Sequence, residues 1–544
     1  MEKFFEKNMN PNHQSLKIVE RLEKEELPRF SFLKDLKAKF STFSESAKGG
    51  KEPEIYLVGG AVRDLLLDRK IEDYDFLIRK VKKEDLEVFL KEKGAVNFVG
   101  RAFGIFKFIP KGPQLKEAID IALPRQDFSL LTGSRHDFKI KTDPELPIEE
   151  DLKRRDFTIN ALAIELEPPF KLIDIAQGKK DLEKGLIRAV GAPRERFKED
   201  CSRILRAIRF ACQFDFKIEE ETFKELKNQV KNLNRIRREV VFERERKFFL
   251  PGMVEYRIVP YEIIAKEMLR SFYYNPLKTI ELYEQSGIFK ELMPEVLKMK
   301  GCPQPQKYHS EGDVWTHASR SVKNLYSPEF KKEFGEERPS SELILATFFH
   351  DIGKPYVIKT PEKDKTERIR FDGHDEIGAE LSKEIAERLK LSSPKDYGVD
   401  SKRLAWLVRN HMIFVNRDIE KIRARTIEKY FFHHYFKGED LLKLGYADIM
   451  ASIPLGEKPD FTNFYKMKQR IEEIKKLSAS KKEAPQPLLA GNEIMKKFSL
   501  EAGPLIGRLL SLLREEQLSK RVKTGEEAYN FLKEFLTKKE KNRQ

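Results

Sequence analysis

At 544 residues with a formal net charge of +15 and 36% charged residues, the chain is too long to be a stapled mini-protein and fits about three or four domains of ~150 residues each. That charge favours a polyanionic partner, nucleic acid before membrane. Three cysteines (Cys201, Cys212, Cys302) without Cys-x-x-Cys spacing argue against a thiolate zinc site and for a reducing, cytoplasmic compartment, while no apolar run reaches the ~18 residues of a membrane span and MEKFFEKNMN lacks a signal-peptide core.

Residues 1–51 carry mixed charge with apolar residues at helical spacing, as in IVERLEKEELPRFSFLKDLKAKF, then thin into STFSESAKGGKEP. They read as an amphipathic helical extension and a linker. A domain begins near residue 52 with IYLVGGAVRDLLLDRKIEDYDFLI. Its apolar run Ile55–Val58 ends at Gly59-Gly60, a short helical pattern from Ala61 to Leu67 follows, and an apolar-alternating run carries Asp73 and Asp75. Side chains two apart on a strand share a face, so both carboxylates project together, with Tyr74 and Phe76 opposite. Two hard anionic groups on a rigid strand suit a magnesium pair, whose ions sit ~3.5–4 Å apart in phosphoryl-transfer sites. The glycine pair lets backbone N–H groups approach a phosphate at the following helix N-terminus, and Arg63 offers the same anion a planar charge.

VKKEDLEVFLKEKG reads as a helix stopped by Gly94, and VNFVGRAFGIFKFI and EAIDIAL alternate like strands. Asp120, between Ile119 and Ile121, either adds a third carboxylate to the metal site or faces water. Between Pro124 and Pro147 the stretch RQDFSLLTGSRHDFKIKTDPEL has no clear period and is a candidate mobile loop. In EEDLKRRDFTINALAIEL, Arg155 is placed to pair with phosphate, and Asp156 and Asn160 to hydrogen-bond a ribose. Along KEDCSRILRAIRFACQF, Asp200, Arg203, Arg206 and Arg209 recur every three residues, so neighbours in the row lie close on a helix. A carboxylate accepts from an exocyclic amine and a guanidinium donates to ring or carbonyl acceptors. Cytosine and adenine share that amine, so one Asp–Arg pair selects both.

VGGAVRD, DYD, RRDFTINALA and EDCSRILRAIRF, in this order and spacing, resemble the class II nucleotidyltransferases, the bacterial tRNA CCA-adding enzymes and their poly(A) polymerase relatives. The resemblance covers roughly residues 52–300. It implies that Asp73 and Asp75 hold catalytic magnesium, and that Gly60, Arg63 and Arg155 meet the nucleotide with Asp156 and Asn160 near its sugar. Asp200 and Arg203 would read the base as a protein template, supported by Arg206 and Arg209. FVGRAFGIFKF looks more like the CCA-adding pattern than the Arg-Arg-Phe of the polyadenylating branch. Two departures stand out: residues 232–258 look like an extended, basic version of the neck connection, and VPYEIIAKEML has Ile263 where an arginine is common.

A second constellation begins after Lys307. His317 lies in WTHASRSV, His350-Asp351 close LILATFFHDIGK, and His374, His411 and Asp448 follow on further helical patterns. Imidazoles and carboxylates on successive helices can collect around one or two metals whose bound water becomes a nucleophile near neutral pH. This arrangement resembles the HD phosphohydrolase domain attached to some bacterial CCA-adding enzymes, a phosphatase or cyclic-phosphodiesterase unit for RNA ends. His317, His350, Asp351 and Asp448 match its central pattern, and His374 and His411 are further candidate ligands. After the linker KKLSASKKEAPQP, the segment from PLLAGNEIM resembles the C-terminal helices of many CCA-adding enzymes, whose basic residues would hold tRNA.

The expected fold class is α+β: a nucleotidyltransferase head with a small mixed β-sheet, followed by all-α neck, body, HD and tail domains. The expected divisions are a helical extension at 1–51, the head at 52–185, neck and body at 186–305, the HD domain at 306–475 and a tRNA-binding tail at 476–544. The implied activity is template-independent addition of CCA to tRNA 3′ ends from CTP and ATP, with Mg2+ at the head and a divalent metal at the HD site. The alternatives are an A-adding enzyme or poly(A) polymerase, and an HD phosphohydrolase whose head only grips RNA.

Overall fold

The computed structural model describes residues 17–46, 52–98, 105–111, 118–129, 133–134, 138–245, 248–414, 418–436, 438–476 and 486–541. The chain divides into two compact units, Met1–Leu292 and Met293–Gln544. In the first, the alternating and apolar runs become strands β1 (Glu54–Val58), β2 (Asp75–Arg79), β3 (Gly94–Phe98), β4 (Ile105–Pro110) and β5 (Ile119–Ala122). They continue with β6 (Arg125–Ser129), β7 (Phe138–Thr142), β8 (Leu162–Glu165) and β9 (Leu172–Asp174). Seven form one mixed sheet in the order β3-β4-β5-β2-β1-β8-β9, with β2 and β5 parallel and the other pairs antiparallel. The fold is therefore α+β, with a mixed sheet at its N-terminal end.

Strands β1 and β2 are buried almost throughout because both sheet faces are covered. On one face Tyr56, Val58, Leu77 and Ala163 pack with Ile148 and Leu152 of a helix at Ile148–Lys153. On the other, Phe76 meets Phe30 at a centroid distance of 5.0 Å, and Phe32 meets Phe108 at 4.9 Å. Residues 17–46 thus pack on the sheet: Leu22, Phe30, Phe32, Leu33 and Leu36, the apolar residues of their helical period, are buried. The helices of this unit used below are α1 (Ser31–Ser46), α2 (Gly60–Leu66), α3 (Lys83–Lys93), α4 (Ile148–Lys153), α5 (Pro193–Glu199), α6 (Ser202–Phe214) and α7 (Tyr261–Tyr274). Gly94 caps α3, which carries Glu84 and Asp85 in its first turn and Lys91 and Lys93 in its last, matching the helix dipole.

Two stretches differ from their sequence reading. The candidate mobile loop 124–147 contains a hairpin, β6 paired antiparallel to β7 from Arg125↔Thr142 to Ser129↔Phe138; residues 130–132 and 135–137 lie outside the described ones. FKIKT does alternate; its partner RQDFS does not, and backbone pairing needs no side-chain period. The basic neck stretch also forms strands. Beyond the short parallel pair β10 (Leu186–Ile187) and β11 (Lys217–Ile218), strands β12 (Ile236–Glu245) and β13 (Phe248–Arg257) pair antiparallel along their whole length.

The second unit is helical. Its helices include α8 (Val314–Asn324), α9 (Ser341–Phe349), α10 (His374–Arg388), α11 (Ser401–Asn410) and α12 (Gly438–Ala451). Asp313, Ser340 and Asp400 start α8, α9 and α11 by accepting backbone N–H bonds at their open ends. All nine residues of α9 are buried, which identifies it as the central helix. The last three helices, α13 (Gly491–Phe498), α14 (Pro504–Leu518) and α15 (Gly525–Lys541), share a separate core around Ile494, Leu509, Leu513 and Leu532. Among the described residues no helix is long and apolar enough to cross a membrane.

Gly353, just beyond α9, lets this segment touch the start of α10. A Cβ there would lie 2.1 Å from the His374 carbonyl oxygen and 2.7 Å from the Gly378 amide nitrogen. Gly353→Ala should therefore destabilise the second unit by about 1–3 kcal/mol. Both tryptophans, Trp315 and Trp406, lie in this unit, so denaturant unfolding followed by tryptophan fluorescence measures the effect directly.

Candidate active sites

The first site is a cleft of about 740 Å³ in the N-terminal unit. Strand β1 ends at Gly59, whose φ of +72° starts the turn into α2. A Cβ on Gly59 would lie 2.4 Å from Arg155 Nη1 and 3.7 Å from Asp75 Oδ2, so the turn, the arginine and the acidic strand converge on one point. Only glycine meets both the left-handed backbone and that approach. Asp75 opens β2 and faces Asp120 of β5 in parallel register, while Asp73 sits in the bend just before the strand. Asp73, Asp75 and Asp120 all line the cleft, as do Gly60, Arg63, Arg155, Asp156, Asn160, Asp200, Arg203, Arg206 and Arg209.

Burial, reinforced by the charges of Asp120 and Asp73 against the pull of Arg155, raises the Asp75 pKa to about 6. Lys107 Nζ donates to Asp120 Oδ1 at 2.8 Å. Carboxylates crowded together until one resists ionisation form a donor set suited to a hard divalent cation. Around them the arginines fall into two groups. Arg155 Nη1 and Nη2 reach the Asn160 carbonyl at 3.3 Å and Asp151 Oδ2 at 3.4 Å, while its buried Nε has no hydrogen-bond partner. Arg63 is instead held as a strut. It donates to Asn160 Oδ1 at 2.7 Å and to both Asp64 oxygens, and its guanidinium lies 4.6 Å from the Phe214 ring centroid.

The Asp200–Arg209 row divides in the same way. Asp200, between α5 and α6, accepts from the Ser202 amide and hydroxyl at 2.9 and 2.6 Å through Oδ1. Arg203 donates to Glu199 and to the Arg154 carbonyl. Arg206 is locked to Asp156 Oδ2 by bonds of 2.8 and 2.5 Å, and Arg209 Nε donates to Glu267 Oε2 of α7 at 2.5 Å. Asp156 also accepts from the Phe157 amide and from Asn160, so it fastens the 155–160 segment to α6. Sequence reasoning missed Glu267 and Arg270, both on α7; Arg270 lines the cleft and lies two helical turns after Ile263, where an arginine was sought. The Val99–Gly104 part of FVGRAFGIFKF lies outside the described residues.

The second site lies in the helical unit and gathers all six predicted residues. His317 Nε2 lies 2.9 Å from Asp448 Oδ1, and His350 Nε2 lies 3.2 Å from Asp351 Oδ2 and 3.5 Å from Asp448 Oδ1. On the other side of Asp351, Oδ1 lies 3.4 Å from His374 Nε2 and 3.7 Å from His411 Nε2. Each imidazole is oriented through its other nitrogen. The Nδ1–H groups of His350, His374 and His411 donate to the carbonyls of Thr347, Phe371 and Val408, and that of His317 donates to Glu311. This aims four Nε2 atoms at the two carboxylates, as in metal sites where each ligating imidazole gives its other N–H to a fixed acceptor.

Electrostatics support the same fit. His350 Nε2 is buried with no hydrogen-bond partner. Burial and the neighbouring His350 and His374 push the His411 pKa down to about 4, which leaves its nitrogen free as a ligand. At His350 burial is outweighed by Asp351 and Asp448, and the pKa rises to about 10, so a metal would enter in exchange for that proton. Two groups, His317–His350–Asp448 and Asp351–His374–His411, each bring three donor atoms within 4.8 Å of one another. Sequence reasoning missed Glu311, whose distance from His317 follows no helical period, and Lys354, whose Nζ lies 2.6 Å from Asp351. The i,i+3 spacing of Asp351 and Lys354 was the available signal for the lysine.

A family model described as the Poly A polymerase head domain matches residues 55–188, and one described as the HD domain matches 319–443. His317 and Asp448 fall just outside the second match, yet the fold brings them to its centre. The chain is 32% identical over 375 residues to the multifunctional CCA protein of Neisseria meningitidis serogroup B, covering 69% of this chain and 76% of that one. It is 29% identical over 490 residues to the A-adding tRNA nucleotidyltransferase of Deinococcus radiodurans, covering 89% and 96%. Among solved structures, the Thermotoga maritima CCA-adding enzyme complexed with tRNA-CCA is similar in fold, with a TM-score of 0.53 at 22% identity over 98% of each chain.

A cation in the first cleft requires Asp75 ionised. Its affinity should hold above pH 7 and fall as the pH drops through about 6, as protons compete for the carboxylate. Manganese titration followed by electron paramagnetic resonance at pH 5.5 and 7.5 measures this, and Asp75→Asn should remove the pH-dependent component.

Proposed function

The chain belongs to the tRNA nucleotidyltransferase family that includes the multifunctional CCA proteins, and from that premise we propose that it adds C, C and A to tRNA 3′ ends from CTP and ATP. The observation that carries this reading is the meeting, in one cleft, of the Gly59 turn, the three aspartates, Arg155 and the Asp200–Arg203 pair. Asp73 and Asp75, with Asp120 beside them, would hold magnesium, which supplies charge neutralisation for the triphosphate and acidifies the primer hydroxyl. In the reaction the primer 3′-hydroxyl gives up its proton to solvent as its oxygen bonds to the α-phosphorus of the nucleotide, and the bond from that phosphorus to the diphosphate breaks.

The protein's own part is positioning and charge stabilisation. The Gly59-Gly60 turn and Arg155 receive the phosphates. Asp200 accepts from the exocyclic amine of cytosine or adenine while Arg203 donates to the neighbouring ring acceptor, and guanine and uracil present a carbonyl where the amine is required. Arg206 and Arg209, held by Asp156 and Glu267, keep this helix in register with the phosphate site.

The second site suits a metal-dependent phosphohydrolase acting on RNA ends, with Asp351 placed between two donor groups. Three buried free cysteines accord with a cytoplasmic location. A second reading, addition of A alone, is favoured by the Deinococcus relative, which aligns over nearly its whole length.

Primer extension with tRNA ending at the discriminator base, at C and at CC separates the readings: CCA addition extends all three, A addition only the last. Asp73→Ala should lower transfer by at least about a hundredfold, whereas Asp200→Ala should chiefly admit UTP and GTP. Unchanged selectivity in Asp200→Ala would reject the template role. Asp351→Ala should abolish hydrolysis of 2′,3′-cyclic nucleotides and leave CCA addition within about twofold, since it touches none of the residues lining the first cleft.

A further inference from the structure

The segment that carries Asp73 and Asp75 into β2 has a second side, the back of the sheet. Tyr74 lies between them and points away, with its ring 4.7 Å from that of Phe30. Its hydroxyl donates to Glu26 and accepts from Arg29 Nη1 at 2.8 Å. Glu26 is only 6% exposed and ends a π-helical turn, Leu22–Glu26, closed by the Leu27 N–H on the Leu22 carbonyl. Such turns interrupt ordinary helices, often at functional positions. Arg21 joins the same network: its Nε donates to Glu26 Oε1 at 3.3 Å and its Nη2 to the Arg69 carbonyl at 2.8 Å. One group of side chains on residues 21–30 therefore grips both ends of the segment leading into β2. None of those residues falls in the matched head-domain region, which starts at 55.

The mechanical need for such a grip is visible at Asp73, which precedes β2 and so lies outside its ladder. Like-charged carboxylates brought this close repel one another, and at Asp73 no ladder hydrogen bond of the strand opposes that repulsion. Tyr74 is fastened on both sides, its carbonyl accepting from the Asp120 amide at 3.1 Å and its hydroxyl bonded to Glu26. We propose that Glu26 and Tyr74 are positioning residues for the head's divalent cation: the N-terminal helices hold Asp73 and Asp75 in place from behind the sheet. The extension is thereby a working part of the nucleotidyltransferase site. The kinetic part of the test rests on the transfer reading above; the metal-binding part does not.

The test compares Tyr74→Phe, Glu26→Ala and Glu26→Gln with the wild-type full chain. The first readout is manganese affinity by electron paramagnetic resonance, with the head component defined as the one Asp75→Asn removes. Tyr74→Phe and Glu26→Ala should weaken that component about tenfold or more, the range seen when groups supporting metal ligands are lost. Glu26→Gln keeps an acceptor and should recover most of it. The second readout is CTP transfer, where kcat should fall with KM for tRNA within about twofold. If Tyr74→Phe fails to fold, Glu26→Ala and Glu26→Gln decide between them. Wild-type manganese affinity in Glu26→Ala or Tyr74→Phe, whatever happens to thermal stability, overturns the proposal. Weakened manganese binding in a protein that transfers no nucleotide upholds it and rejects the transfer reading instead.

Discussion

The close approach of carboxylates organises this protein. In the first unit Asp75 faces Asp120 across a parallel ladder with Asp73 in the adjoining bend, and the carboxyl group of Asp75 is raised to a pKa of about 6 by burial and by those neighbours. A carboxylate cluster of this kind is costly unless cations and fixed dipoles surround it. Much of the surrounding structure supplies them: the Gly59 turn at the start of α2, Arg155 against that turn, Lys107 on Asp120, and the arginines of α6 beyond. The sheet gives the cluster a rigid base, and the helices of residues 17–46 cover its back.

The second site resolves the same problem with different chemistry. Asp351 and Asp448 are buried in an all-helical unit, and imidazoles compensate them where arginines do so in the head. Three of the four histidines are oriented by backbone carbonyls three residues earlier, a device that a helix end supplies without any further side chain. The outcome is a group of imidazole nitrogens aimed at two carboxylates, a softer donor set than the one in the head. The two centres thus differ in chemistry: a cleft lined with arginines and aspartates in one unit, and a buried cluster of imidazoles and carboxylates in the other.

Several side chains expected to touch ligand serve first as structural ties. Arg63, Asp156, Arg206 and Arg209 all line the cleft, yet each is bonded to a protein partner: Asp64, Arg206, Asp156 and Glu267 respectively. Such a network limits the freedom of α6 relative to the 156–160 segment. Asp200 and Arg203 stand at the outer end of the row, where Ser202 and Glu199 orient them.

The position of a side chain was legible in sequence where the pattern is local. Gly-Gly after a strand, two aspartates one residue apart, Asp and Arg residues three apart, and His-Asp at the end of an apolar helix all carry their meaning in spacing, because strand and helix periods convert spacing into direction. Every head and HD residue singled out that way lies at one of the two sites. What spacing cannot express is the approach of elements distant in the chain. Glu267 reaches Arg209 and Glu311 reaches His317 only through packing. The hairpins β6–β7 and β12–β13 depend on backbone pairing between strands, which no single stretch of sequence records. The helical period of residues 17–46 was legible, but not which surface it would cover. Only the tertiary structure decided that it is the back of the sheet whose strand β2 begins at Asp75, since an amphipathic face records that it must be buried and not against what.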